Sequence, residues 1–583
     1  MLKNIFLFCS FFFCFSIYGE NPSKYECPDT NDNKKVFWGD LHVHSGYSMD
    51  AYAFGTRNNP GEAFEFAQGK GQLLADNKTQ VKLERPLDFM AVTDHAETFD
   101  VMYLCSDPLY SDFPYCDELR VGSNSSTTSL DVFQRFLLPL ISEDKPMRSP
   151  LCIDNPDKCD AAAALQWERV QDFANKANDK CNFTAFIGFE WSATPNSHHW
   201  HRNIIYASDA VSKEALDYIR YPSVDLLFEA LEDQCKLEEG CDVLSIPHNI
   251  NWSEGGGFEV ENIAELTLLR RAKYERLVEM FQSKGGSECL PEHWDQLDSD
   301  CNFENAFTSE FSDNGFASGA LLENLPQRER QWLRIRSGYA RSLLAKGLIS
   351  YKETSLNPLK LGFIGSTDSH TGTGGRVEEN NWKGTVWSWG DNVERRLSRL
   401  AFNPGGLVGV WAKENTRSSI FSALKRRETY STSGPRIGLK IALSDEENNK
   451  SCNFNNNKLT IMGGTISKVQ SNPTIIVKAY KDKLPLVKVE IIKGALVDNK
   501  IVEKVITITE ENFKQDQLCL TWNDKEFDKM SPAFWYARVL ELSSPRWSKF
   551  DCLALNNCET LAVEANQEIN ERAWSSPIWY LPN

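Results

Sequence analysis

The stretch Val36-Phe37-Trp38-Gly39-Asp40-Leu41-His42-Val43-His44-Ser45 decides how this chain is read. It starts as an apolar run and ends in two imidazoles one residue apart. In extended backbone residues i and i+2 share a face, so His42 and His44 reach the same point at the end of a strand. One such pair is weak evidence, but the arrangement recurs. Ala91-Val92-Thr93-Asp94-His95 and Ile187-Gly188-Phe189-Glu190 end two further apolar runs, and His201-Arg202-Asn203 leads a fourth. Ser245-Ile246-Pro247-His248-Asn249 and Gly365-Ser366-Thr367-Asp368-Ser369-His370 end two more. The chain has nine histidines in 583 residues, and most of them stand at such ends.

Apolar runs over 36–43, 87–93, 184–189, 203–206, 243–247, 277–281, 361–364 and 407–411 alternate with amphipathic stretches over 161–177, 226–237, 327–346 and 417–427. That rhythm predicts an α/β fold, whose reactive residues sit on the loops after the strands. Residues 104–156 carry Ser, Asn, Asp and cysteines in place of clear periodicity, and read as a disulfide-tied insertion in the position of a lid. Beyond Gly434 the pattern becomes period-2 alternation over 473–479, 486–492, 501–508 and 534–540, with no long helix, which predicts a small all-β, sandwich-like domain. Trp535, Tyr536, Trp547, Trp574 and Trp579 are expected to fill its core rather than to bind carbohydrate. The expected division is a signal peptide over 1–19, a hydrolase domain over 20–434 containing the insertion, and a β-rich accessory domain over 435–583.

The leader is read from Ile5 to Ile17, an apolar run too short to span a bilayer, with small residues following. Cys9 and Cys14 each follow phenylalanine, which argues against lipidation. Without them an even fourteen of the sixteen cysteines are left, and an even number in an exported chain predicts disulfides. Sequence neighbours are the expected pairs: Cys105 with Cys116, Cys152 with Cys159, Cys235 with Cys241, Cys289 with Cys301, and Cys552 with Cys558. The expected location is secreted or periplasmic, with no transmembrane segment. A net charge of -18 argues against a nucleic-acid backbone as the main partner, because phosphate contacts need clustered Lys and Arg.

Imidazole and carboxylate without thiolate suit Zn, Mn or Fe. The order His-x-His, Thr-Asp-His, Glu, Pro-His, Asp-x-His resembles the PHP (polymerase and histidinol phosphatase) superfamily of metal-dependent phosphoesterases. More closely, Trp38-Gly-Asp-Leu-His-Val-His, Gly188-Phe-Glu-Trp, His201-Arg-Asn, Ile246-Pro-His-Asn, Ser366-Thr-Asp-Ser-His and Arg427-Glu-Thr-Tyr-Ser-Thr-Ser-Gly resemble the PHP-related DUF3604 family, from about Val36 to Arg572-Ala-Trp-Ser-Ser-Pro. The resemblance implies a distorted (β/α)7 barrel with two or three divalent ions. It implies His42, His44, Glu190 and Asp368 on one ion, Glu190, His201 and His248 on a second, and Asp50, His95 and His370 on a third. Glu190 is then the bridge. Many PHP proteins have histidine at the position of Asp50.

Such a centre implies a phosphomonoesterase or phosphodiesterase acting on a small phosphorylated molecule, with a hydroxide bridging the ions as nucleophile. Glu190, Arg202 and Asp94 are the candidate catalytic residues. Arg202 either clamps a phosphate oxygen or makes a structural salt bridge. Asp94 is expected to orient His95 or a neighbouring ligand. Asn249, Thr371 and Arg376 are further candidates for the substrate. His198 and His199 compete with His201 for ligation, and His293 reads as a surface residue. For Glu279 and Glu288 a solvated carboxylate is the default. Two alternatives stay open: an amidohydrolase-like C-N or C-O hydrolase, and a non-catalytic exported metal-binding protein.

Overall fold

The computed structural model describes residues 27–28, 30–106, 114–121, 146–195, 198–290, 298–305, 335–390, 392–446, 451–454, 456, 458–510, 513–556, 558 and 568–583. The leader, His293 and the first half of the helix expected over 327–346 lie outside them.

The opening strand β1 (Lys35–Asp40) runs parallel to β2 (Phe89–Ala91), and β2 runs parallel to β3 (Thr184–Phe186), with Gly39 opposite Phe89 and Phe89 opposite Thr184. A methyl at Gly39 would lie 2.2 Å from the Phe89 ring, so this approach requires glycine. Strands β4 (Gly188–Trp191), β5 (Arg202–Tyr206) and β6 (Val243–Pro247) form a separate antiparallel ladder that sets Glu190 opposite Asn203 and Asn203 opposite Ile246. The β4–β5 connection is too short to hold a crossover helix, which explains the antiparallel sense. Strands β7 (Leu277–Gln282) and β8 (Gly362–Gly365) pair in parallel, and Gly285–Gly286 folds back on β7. Strand β9 (Leu407–Ala412) returns antiparallel to β1, followed by β10 (Thr429–Thr432) antiparallel to β9. Isolated bridges join Val43 to Ser369 and His95 to Glu190, so the separate ladders meet where the ligand residues lie. Among the described residues no single ladder runs continuously round the site.

The helices follow their apolar periodicity and caps. Helix α1 (Pro156–Ala177) starts on proline, and Ser223 caps α2 (Val224–Gln234) by accepting from Leu226 N. Helix α2 buries Val224, Leu227, Phe228 and Leu231, the i, i+3, i+4, i+7 face. Next come α3 (Glu265–Tyr274) and α4 (Ala340–Thr354), and Thr416 caps α5 (Arg417–Arg426). The insertion is mostly helical where described. Phe99–Ser106, Pro114–Val121 and Pro150–Asp154 form short helices, with Cys105 bonded to Cys116 and Cys152 to Cys159. Each has eight residues or fewer, too few turns for a periodic pattern to register in the sequence.

The C-terminal region is mostly sheet. Strands β11 (Gly438–Ser444), β12 (Thr474–Tyr480) and β15 (Gln517–Asn523) form one ladder, while β13 (Leu486–Val497) pairs with β14 (Lys500–Thr507) and β16 (Ala533–Glu541). Strand β17 (Arg572–Ser575) lies between β10 and β16, with Ser575 opposite Tyr430 and Trp574 opposite Arg538. Sheet hydrogen bonding is therefore continuous from β1 into the C-terminal region. Trp535, Tyr536, Trp547, Trp574 and Trp579 are buried, as packing residues should be. Glu288, expected to be solvated, is instead a buried hub. It accepts from Arg341 Nη2 (2.8 Å), Arg538 Nη1 (2.9 Å), Tyr536 OH (2.6 Å) and Trp574 Nε1 (2.7 Å).

The five neighbouring cysteine pairs are bonded as expected. The remaining four cysteines form Cys27–Cys181 and Cys452–Cys519, which span 154 and 67 residues. Seven disulfides fit an oxidising compartment. No helix among the described residues is long and apolar enough to cross a membrane.

Candidate metal centre

Backbone hydrogen bonds gather the strand-end loops. Asp368 N donates to His42 O (2.9 Å), His44 N to Ser369 O (2.8 Å), Glu190 N to Asp94 O (3.0 Å) and His248 N to His201 O (3.2 Å). Asp368 and Asn249 both take φ of 51°. Left-handed backbone at a non-glycine residue costs about 1–3 kcal/mol and concentrates at functional sites.

Nε2 of His42 lies 3.3 Å from Glu190 Oε2 and 3.2 Å from Asp368 Oδ1, and Nε2 of His44 lies 3.2 and 3.3 Å from the same two oxygens. Edges of that length belong to a tetrahedron whose centre is about 2 Å from each corner, the distance zinc keeps from nitrogen and oxygen ligands. Glu190 turns its other oxygen, Oε1, to His201 Nδ1 (2.8 Å) and His248 Nε2 (3.3 Å). Asp50 Oδ2 faces Nε2 of both His95 (3.1 Å) and His370 (2.9 Å). The tightest groupings of these side chains are His42, His44 and Asp368; His42, Glu190 and His248; and His44, Asp50, His95 and His370, so His44 sits with the Asp50 group as well as with Asp368, and His201 joins through Glu190.

The nitrogens that face away from these oxygens fix the tautomers. His42 Nδ1 donates to Glu279 Oε2 (3.0 Å). Ser48 Oγ donates to Asp94 Oδ1, so it accepts from His44 Nδ1 (2.8 Å). Ser192 Oγ donates to Glu190 Oε1 and accepts from His95 Nδ1 (2.6 Å). Thr194 Oγ1 pairs with His201 Nε2 (2.7 Å), and His370 Nδ1 donates to the carbonyl of Asp368 (2.9 Å). Each ring therefore presents its second nitrogen to a carboxylate oxygen, and every such contact needs a cation between the partners, either a proton or a metal ion. His42 Nε2, Glu190 Oε2, Asp368 Oδ1 and both nitrogens of His248 are buried without a hydrogen-bond partner, which fits a metal ion and does not fit a closed hydrogen-bond network.

Electrostatics agree with that chemistry. Burial raises Glu190, but the charges of His95 and His248 outweigh it and hold the carboxyl well below its usual range. Burial likewise opposes ionisation of Asp368 and Asp50, and Lys284 and His42 for the first, His370 and His95 for the second, keep both well below. Burial lowers His248, His201 and His370. Burial alone would also lower His95, but Glu190 and Asp50 push it up to about 10. A metal ion must displace that proton. Metal uptake should therefore release protons and tighten as pH rises toward 10. Titration calorimetry in two buffers of different ionisation enthalpy reads this directly, and identical heats in both would contradict it.

Several sequence readings change. Of the two roles expected for Asp94, the contacts are those with a neighbouring ligand: it accepts from Ser45 N (2.7 Å) and from Ser48 Oγ, which meets His44 Nδ1. Arg202 does not reach the ligand set. It is fully buried, donates from Nε to Glu275 (2.9 Å) and from its other nitrogens to the carbonyls of Trp200 and Gly257, and it faces the rings of Trp191 and Phe258. That is the structural salt bridge, and it holds the fully buried guanidinium on Glu275 and two carbonyls. Thr371 Oγ1 bonds Thr373 Oγ1 (2.7 Å), which also accepts from Arg376 (3.3 Å). Asn249 is buried beside the ligand loops, where Nδ2 meets His199 Nδ1 (3.3 Å) and Oδ1 accepts from Gln282. Of the three clustered histidines, His201 reaches Glu190, His199 stacks on His201, and His198 pairs with Glu254 (3.3 Å).

Glu279 is buried against His42 rather than solvated. Glu279→Gln should weaken metal affinity by about 10–100-fold, the usual cost of losing a carboxylate behind a ligand histidine. Competition with a chromophoric chelator measures it, and an unchanged affinity would remove Glu279 from the centre. Ser48, Ser192 and Thr194 were missed by the sequence reading. Strand alternation was a usable signal, since Glu190, Ser192 and Thr194 share one face of an extended segment.

The profile of DUF3604, described as a protein of unknown function, matches residues 31–517 and 499–582. No curated protein matches the chain. Among solved structures, one that is similar is a two-domain protein containing a predicted PHP-like metal-dependent phosphoesterase from Bacteroides vulgatus ATCC 8482. It shares 13% identity at a TM-score of 0.30, over 88% of this chain and 93% of that one, a likeness too slight to carry an argument. With the profile covering nearly the whole described sequence, the chain belongs to the DUF3604 family.

Proposed function

We propose that the chain is an exported metal-dependent hydrolase that cleaves phosphomonoesters or phosphodiesters of a small molecule, using two or three divalent ions. The observation that carries this reading is Glu190, whose two oxygens face two separate histidine groups at 2.8–3.3 Å. A carboxylate so placed suits a pair of ions. Bound there, the ions would lower the pKa of a water toward neutrality and neutralise phosphoryl oxygens. His42, His44 and Asp368 would hold one ion, His201 and His248 the second, and Asp50, His95 and His370 a third. Glu279, Ser48, Ser192 and Thr194 keep the imidazoles in the ligating tautomer. The sequence resemblance to the PHP superfamily supports phosphoester chemistry and a distorted (β/α)7 barrel for residues 20–434, with 435–583 as an accessory β region. The disulfides support export behind the signal peptide expected over 1–19.

The test is to load the purified chain with Zn, Mn or Fe and assay a panel of aryl phosphomonoesters, phosphodiesters, carboxyl esters and amides. Phosphate or alcohol release from a phospho-substrate is the expected result. Turnover of esters or amides alone would replace this reading with an amidohydrolase-like one. No turnover with full metal content would favour a binding protein.

A further inference from the structure

Lys284 occupies the turn between β7 and Gly285–Gly286 and extends its ammonium to the ligand set, where Nζ pairs with Asp368 Oδ2. Asp368 is thereby divided. Oδ1 faces His42 and His44 at 3.2 and 3.3 Å, and Oδ2 faces Lys284. The turn is fastened at several points. Asn251 Nδ2 donates to the Lys284 carbonyl (3.1 Å), Lys284 N donates to Gln282 Oε1 (2.5 Å), and Gln282 bonds Asn249 on the loop carrying His248. Gly285 has φ of 101°, which permits the reversal.

A lysine held this way has more to offer than one ion pair. Its ammonium carries three N–H donors, and Asp368 Oδ2 is its one acceptor among the described residues. Its side chain is 19% exposed while that of Asp368 is 1% exposed, so Lys284 is the less deeply buried partner of the pair. Among the described residues it is the lysine or arginine that pairs with a ligand carboxylate, since Arg202 is committed to Glu275. An ion held beside Asp368 and the Lys284 ammonium would together set positive charge on this side of the site. A neutral ester or amide gains little from that field, whereas a tetrahedral dianion gains much.

We propose that Lys284 is the group that recognises the anionic phosphoryl end of the substrate, donating to a phosphoryl oxygen beside Asp368 and selecting phosphomonoesters over neutral esters. This rests on the phosphoesterase reading. The test uses inorganic phosphate as probe, titrated by calorimetry into the metal-loaded full-length chain, with metal content measured in parallel and neutral acetohydroxamate as control ligand. Lys284→Met should weaken phosphate binding by about 10–100-fold, the loss of one charge-assisted hydrogen bond, and leave metal content and acetohydroxamate binding unchanged. Lys284→Arg should recover most of the phosphate affinity. Unchanged phosphate affinity in Lys284→Met overturns the assignment and leaves the phosphoesterase reading standing. Metal loss in Lys284→Met overturns it too, because Lys284 would then serve to hold Asp368. A metal-loaded wild-type chain that binds acetohydroxamate and no phosphate fails at the phosphoesterase reading itself.

Discussion

Glu190→Gln should leave the chain short of at least one bound metal ion per molecule and lower turnover of any substrate by about 10³-fold or more. The side chain keeps its shape, yet one oxygen becomes an amide nitrogen that cannot ligate and the bridging negative charge is gone. Both histidine groups then lose a shared partner, His42 and His44 on one side and His201 and His248 on the other. Elemental analysis of the purified variant and its kcat check the two halves separately. Unaltered metal content with unaltered kcat would show that Glu190 bridges nothing.

The second large effect concerns stability. Glu288→Ala should destabilise the fold by about 3–5 kcal/mol, because it leaves the buried donors of Tyr536 and Trp574 without their acceptor and takes one carboxylate from Arg341 and Arg538, which keep Asp298 and, for Arg538, Glu490. Denaturant unfolding of the intact-disulfide protein reads this as a lower midpoint. Acid should reveal the same hub. Burial alone raises the Glu288 carboxyl, but the Arg538 and Arg341 charges hold it down at about 2. A carboxyl depressed in the folded state contributes stability above its unfolded pKa of about 4.5, and that contribution disappears as pH falls through about 2. Stability should therefore decline between those values, and the decline should be shallower in Glu288→Gln. An equally steep profile in that variant would place the acid sensitivity elsewhere.

Much of the centre was legible in the sequence because its residues stand at strand ends, where apolar runs stop at imidazoles and carboxylates that serve no core. His42, His44, His95, His248, Asp368 and His370 announce themselves that way. What could not be read was the layer behind them. Ser48 and Ser192 are common residues, and their importance lies in which histidine nitrogen they touch. Arg202 misled for the opposite reason: beside His201 in sequence, it alternates to the other face of β5 and meets Glu275. Glu288 looked like a surface acid in a glycine-rich turn because its four partners come from β16, β17 and α4, distant in the chain. The C-terminal period-2 pattern identified strands but not their neighbours, since register between remote strands is set by tertiary packing.

The position of β17 between β10 and β16 has a kinetic side. Strand β10 belongs to the sheet that carries His42 and His44, yet its outer edge is covered by residues 572–575, made some 140 residues later than β10 itself. Until that segment arrives the edge offers a row of unpaired backbone groups to any passing strand. Pairing over such a separation is slow to nucleate. A chain that folds as it emerges N-terminus first would thus spend its most aggregation-prone interval with the metal ligands already made and the covering strand still to come, and its yield should depend on holdase capacity as much as on metal supply.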